Sequence, residues 1–218
     1  MGGSSSGEGL LEDATLRNLG VPYHIGDSTV EQVRIGGRPD ERLVTLTIEA
    51  GVVLKFEPST GLAVQHATTD EPSTAALRVL GSTDEPVVFT SAAPDPQPGD
   101  WMGLWFGGGP SDRNVIEHAR IEYAGYDCSC GLNTCSETVI ASGTHEGAVI
   151  FTAPPADAFI TNTTISNIAG NGITHGFDGP FVNFRGSNTF EDVSGCEQTH
   201  PRNEDTSCPD PRPACDGS

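Results

Sequence analysis

Glu122 and Glu191 are the carboxylates whose placement could support acid–base chemistry, and Trp101 and Trp105 are the indoles that could stack on a sugar ring. If the two glutamates stand on one outward column two strands apart, they are separated by about 10 Å. That is near the upper limit for the acid and base of an inverting glycosidase. Acids on a strand face are ordinarily only solvated charges, and a chain with 30 Asp and Glu produces such coincidences easily. No residue is therefore assigned a catalytic role, and Glu122 and Glu191 stand as the candidates.

Trp101 and Trp105 lie four apart, so a strand through both would turn them to one side and Met102, Leu104 and Phe106 to the other. Facing outward, they would form a ligand-binding platform backed by Tyr123 and Tyr126. Facing inward, they would tuck beneath the Gly107-Gly108-Gly109 loop, as large aromatics usually do.

Six cysteines fall in two groups, Cys128, Cys130 and Cys135, then Cys196, Cys208 and Cys215. An even count in loop-like sequence reads as disulfides in an oxidising compartment. Zinc is the competing reading, but Cys128-Ser129-Cys130 has the wrong spacing for a knuckle and no paired histidines lie nearby. His118 aligns with Asn162 at what reads as a tight bend, where a left-handed backbone is expected. The other five histidines suggest no ligand set. Gly107-Gly108-Gly109-Pro110 lacks the Lys and Ser or Thr of a phosphate loop and reads as a turn. Asn162-Thr163-Thr164 has the form of a glycosylation sequon.

The chain around these groups has 218 residues and a formal net charge of −19. Nucleic acid is excluded as a partner, because phosphate binding needs clustered Lys and Arg. The balance suits solubility, a saline medium or a basic partner. No apolar run approaches the roughly 20 residues that cross a bilayer. Residues 1–9, mostly Gly and Ser, have the composition of a flexible linker, and one expectation is the tether of a lipid-anchored precursor.

With 27 Gly, 16 Pro and few aromatics, the composition favours short extended segments over helices. Leu10, Leu11, Leu16 and Leu19 have the spacing of one short capping helix. From residue 43 onward, strand-length apolar stretches recur, separated by Gly, Pro, Asp or Asn.

Self-similarity decides among all-β folds. Ile116-Glu117-His118-Ala119-Arg120-Ile121-Glu122-Tyr123-Ala124 aligns without gaps on Ile160-Thr161-Asn162-Thr163-Thr164-Ile165-Ser166-Asn167-Ile168. Asn188-Thr189-Phe190-Glu191-Asp192-Val193 matches residues 163–168 in turn. The offsets are 44 and 25, and a spacing in the twenties is one coil of a parallel solenoid, so 44 reads as a coil carrying an insertion. Stacked coils would then set Ile121, Ile165 and Phe190 in one inward column and Ile116 and Ile160 in another. Glu122, Ser166 and Glu191 would share an outward column.

By the same alignment both cysteine groups leave the solenoid at one corner. At least one disulfide is expected between the insertion and the tail. The fold expected is a right-handed parallel β-helix of roughly four to six coils. Residues 1–19 would be linker and capping helix, 20–195 the helix domain, and 196–218 a disulfide-tethered tail. A β-sandwich would instead show hairpins.

Leu46-Thr47-Ile48-Glu49-Ala50-Gly51-Val52-Val53-Leu54-Lys55-Phe56 resembles the first coil of bacterial secreted or surface-anchored β-helix proteins of the pectin-lyase-like superfamily. Residues 80–91, 98–106 and 116–125 follow in that group's order, so the resemblance spans roughly 40–195. It implies a secreted or cell-surface location and a polysaccharide or surface protein as partner. It implies little about activity, since lyases, hydrolases and adhesins share the fold. The Asp-Asp and Gly-His-Gly pairs of polygalacturonase-like members have no counterpart, Thr174-His175-Gly176 being a partial echo. Nor is there a recognisable lyase calcium cluster with its basic partner. The expectation is a non-catalytic binding protein without a cofactor, with calcium as the one ion to test; a polysaccharide lyase or hydrolase and a structural assembly protein are the alternatives.

Overall fold

The computed structural model describes residues 9–26, 32–36, 42–64, 74–126, 132, 134–136 and 147–215. Sixteen strands lie among the described residues, several of them with the expected period-two burial. In β4 (Val44–Glu49), Val44, Leu46 and Ile48 are buried while Thr45, Thr47 and Glu49 are not, as alternation on a half-buried pleat requires.

Three sheets are formed, and every pairing between strands is parallel. The first stacks β1 (Ala14–Leu16), β4, β7 (Ala75–Leu80), β10 (Val115–Glu117) and β13 (Ile160–Thr161). The second stacks β2 (Tyr23–Ile25), β5 (Val53–Phe56), β8 (Val87–Ser91), β11 (Ala119–Glu122), β14 (Thr164–Ile168) and β16 (Thr189–Val193). The third stacks β3 (Gln32–Ile35), β6 (Gly61–Val64), β9 (Gly103–Phe106), β12 (Val149–Phe151) and β15 (Ile173–His175). Up to β15 the chain visits the sheets in strict rotation, one strand to each per coil, which is the winding of a parallel β-solenoid. A sandwich of hairpins is ruled out.

The columns fall where the repeat sets them. Ile121 pairs with Ile165 and Ile165 with Phe190; Ile116 pairs with Ile160; Glu122, Ser166 and Glu191 align outside. The 25-residue step from Ile165 to Phe190 is nevertheless, with the 24-residue step from Val149 to Ile173, at the short end of the coils. Leu46 to Leu77 spans 31 positions and Val79 to Ile116 spans 37, the latter with long connections over residues 92–102 and 107–114.

The last coil omits its first-sheet strand. A 3-10 turn, Arg185–Ser187, crosses there, and Asn188 replaces the missing rung: its side-chain oxygen accepts from Thr163 N at 3.0 Å and its Nδ2 donates to Ile160 O at 2.7 Å.

The residues expected to form a capping helix behave otherwise. Ala14–Leu16 is strand β1, in register with Leu46–Ile48, because the second coil offers an unpaired sheet edge. An exposed backbone edge outweighs the weak helical preference of four spaced leucines.

Candidate functional site

The second sheet ends at a corner where consecutive coils enter the left-handed region at matching positions: Tyr123 (φ 62°), Asn167 (φ 57°) and Asp192 (φ 51°). Each follows a member of the Glu122, Ser166, Glu191 column, so the two candidate acids and Tyr123 share one edge, with Tyr126 three residues further on, its N–H donating to Trp101 O. Tyr123 is half-buried and Tyr126 is 39% exposed. Two rungs separate Glu122 from Glu191, about 10 Å. The Glu122 carboxylate is paired with the Arg120 guanidinium, and Ser166 lies between the two acids in register. Glu191 and Asp192 are exposed. The arrangement supplies hydrogen-bond acceptors and an aromatic surface.

Trp101 is not part of that surface. It is fully buried, its ring 4.1 Å from that of Phe56 and only 10° from parallel, and its Nε1 donates to the Glu122 carbonyl at 2.7 Å. The reason is Gly103 (φ +102°), which breaks the alternation between the two indoles. A Cβ there would meet Ala148 O at 2.4 Å, so the third sheet can pass only with glycine. β9 begins at that glycine with Leu104 and Phe106 inward and Trp105 outward, half-buried in register with Ala63 and Ile150. The two indoles therefore occupy different faces, and the four-apart reading is corrected.

His118 and Asn162 both adopt φ 50°, the shared left-handed bend that their alignment predicts. His175, which attracted notice in sequence only as half of a Gly-His-Gly echo, closes the inward column of Phe106 and Phe151. It has no exposed surface, and its Nδ1 donates to Thr199 O at 2.6 Å. Burial pushes its pKa down to about 4, against the opposing backbone contacts of Thr199 and Val182. Its sequence signal was position: β15 continues an apolar column, and the residue there must be read as core.

Four cysteines are bridged among the described residues. Cys135–Cys208 joins the insertion to the tail, the link expected from the shared corner, and Cys196–Cys215 closes the tail on itself. Cys128 and Cys130 lie outside the described residues. The tail runs as a further rung on the third sheet, with Ile173 bridged to Gln198 and Asp178 to Arg202, and covers the end of the core.

Among the described residues, no three His, Cys, Asp or Glu side chains gather as a metal site, and no helix is long and apolar enough to cross a membrane. Comparison of the chain with protein-family models, curated proteins and solved structures finds no match.

Proposed function

We propose that this chain is an exported, non-catalytic, right-handed β-helix of the pectin-lyase-like kind that binds a polysaccharide or a cell-surface protein at the corner formed by Tyr123, Tyr126, Glu191 and Asp192. The observation that carries the reading is the stack of left-handed bends at Tyr123, Asn167 and Asp192, which sets half-buried Tyr123 in line with exposed Glu191 and Asp192 two coils on, exposed Tyr126 following three residues past the first bend. Right-handedness follows from the general rule for parallel crossovers. Export is supported by the two disulfides, which persist in oxidising compartments.

Binding needs no cofactor in this reading. Its test is a glycan array followed by titration of the best hit. Tyr126→Ala is expected to weaken binding about tenfold, in the range of an aromatic anchor, with no product released.

The alternative is a lyase or hydrolase, favoured by the Glu122 and Glu191 column alone. It predicts release of unsaturated or reducing sugars that stops in Glu191→Gln. That outcome would replace the binding reading. A rise in melting temperature with calcium would add an ion to the site.

A further inference from the structure

The residues after β16 return across the C-terminal end of the core as a strap pinned at two points. The chain itself holds it at Gly195, whose N–H donates to Gly170 O, and the Cys135–Cys208 bridge holds it again just past Ser207. Between the pins, Gly172 N donates to Cys196 O at 2.8 Å, Ile173 N to Glu197 O at 2.9 Å, Thr199 N to Ile173 O at 2.9 Å and Arg202 N to Phe177 O at 3.1 Å. Cys196, Gln198 and Thr199 are buried, and beneath them Ile173, His175 and Phe184 have no exposed surface.

His175 joins core and strap through a group that can change its charge. Its backbone N–H donates to Thr199 Oγ1 at 2.9 Å and its Nδ1 to Thr199 O at 2.6 Å. The carbonyl fixes one proton on Nδ1, so a second can enter only at Nε2. That nitrogen is buried, with the Val182 backbone nearby and no hydrogen bond formed.

Around the imidazole stand the rings of Phe151 from β12 and of Phe177, Phe181 and Phe184 from the segment after β15, their centroids 5.5–6.2 Å away. None of these carries charge. The titratable group that faces it is His200 of the strap, itself stacked on Phe181 at 4.0 Å. A cation at His175 therefore meets, among the described residues, a second imidazole that gains charge in the same direction, and no carboxylate to offset its burial. The strap's ionic tie, Glu197 with Arg185 of the crossing turn, also weakens when the carboxylate takes a proton.

We propose that residues 196–207 are an acid-released strap, closed at neutral pH and lifted in acid by protonation of His175, which uncovers the aromatic end of the core while both pins hold. Linkage fixes the sign. Burial keeps the His175 pKa at about 4 in the closed form, against 6.5 once the ring is in water, so the open form binds the proton first and gains population as the pH falls from 6.5 toward 4. The strap opens before the solenoid because it is a single rung at the end of a stack, whereas β5 and β8 are paired on both sides.

The inference is independent of the binding reading and is tested without ligand, by amide exchange in the intact, oxidised chain with the intrinsic pH dependence of exchange divided out. At pH 7.5 the amides of Thr199 and Arg202 are expected to be less protected than those of β5 and β8. Between pH 7.5 and 5 they are expected to lose about thirtyfold in protection, while the near-ultraviolet circular dichroism of the buried Trp101 stays native. Most of that loss is expected to vanish in His175→Phe. In the unaltered chain, equal protection of strap and inner strands at both pH values would mark one cooperative unit and overturn the proposal, whether or not the variant folds. So would a strap whose protection does not change with pH, or a loss that persists undiminished in His175→Phe.

Discussion

Trp101 and Glu122 meet across the wall of the solenoid: the indole lies wholly in the core and donates to the Glu122 carbonyl, while the Glu122 carboxylate is outside with Arg120. One residue of the candidate corner is thereby fixed from within by a side chain that never reaches solvent.

Replacing that support has a cost set by packing. Trp101→Ala is expected to lower stability by about 3–5 kcal/mol in urea unfolding. Trp101→Phe retains the stack on Phe56 but leaves a buried carbonyl without its donor, for a loss of about 1–3 kcal/mol. By contrast, Arg120→Ala should cost less than about 1 kcal/mol, because the Arg120 side chain is 55% exposed. A tryptophan substitution that left stability unchanged would contradict the inward placement.

The left-handed corner makes an opposite-sign test. Asn167 and His118 hold φ values of 57° and 50°, where a β-branched side chain is strained and glycine is not. Asn167→Val is expected to destabilise by about 1–3 kcal/mol, whereas Asn167→Gly should be near neutral in the same melt. Equal losses for the two variants would show that the side chain, and not the bend, is what matters.

Acid weakens the fold through His175. Its pKa falls from 6.5 unfolded to about 4 folded, chiefly by burial, so the unfolded chain binds its proton first. The contribution of the neutral ring is complete above about pH 6.5, declines as the pH drops through the window to 4, and is lost below it. The shift corresponds to about 3 kcal/mol in all. His175→Phe, which suits the aromatic surroundings of Phe151, Phe177 and Phe184, should flatten the stability–pH profile between 4 and 6.5. An unchanged slope in that variant would assign the acid sensitivity elsewhere.

The two bridges should differ in worth. Cys135–Cys208 closes a span of 73 residues and Cys196–Cys215 one of 19. Chain-entropy arguments give about 4 and about 3 kcal/mol respectively. Cys135→Ser with Cys208→Ser should accordingly lower the unfolding midpoint more than Cys196→Ser with Cys215→Ser. The reverse order would mean that the tail, once folded on itself, needs no tie to the insertion.

Much of this architecture is written locally. The repeat from 116 to 193 dictates which residues stack, because alternation on a strand and identity between coils are properties of neighbouring residues; Ile121 on Ile165 on Phe190, and Glu122 in line with Glu191, follow directly. The bend at His118 and Asn162 is legible for the same reason. Other features depend on what lies a coil away. Gly103 sets the two indoles on different faces because the neighbouring Ala148 carbonyl excludes a side chain, and residues 14–16 become a strand because the next coil presents an edge. Which cysteine joins which is decided only when distant segments are brought together. Spacing along the chain encodes a side chain's phase within its own strand, whereas the surroundings that determine its burial are supplied by residues twenty to seventy positions away.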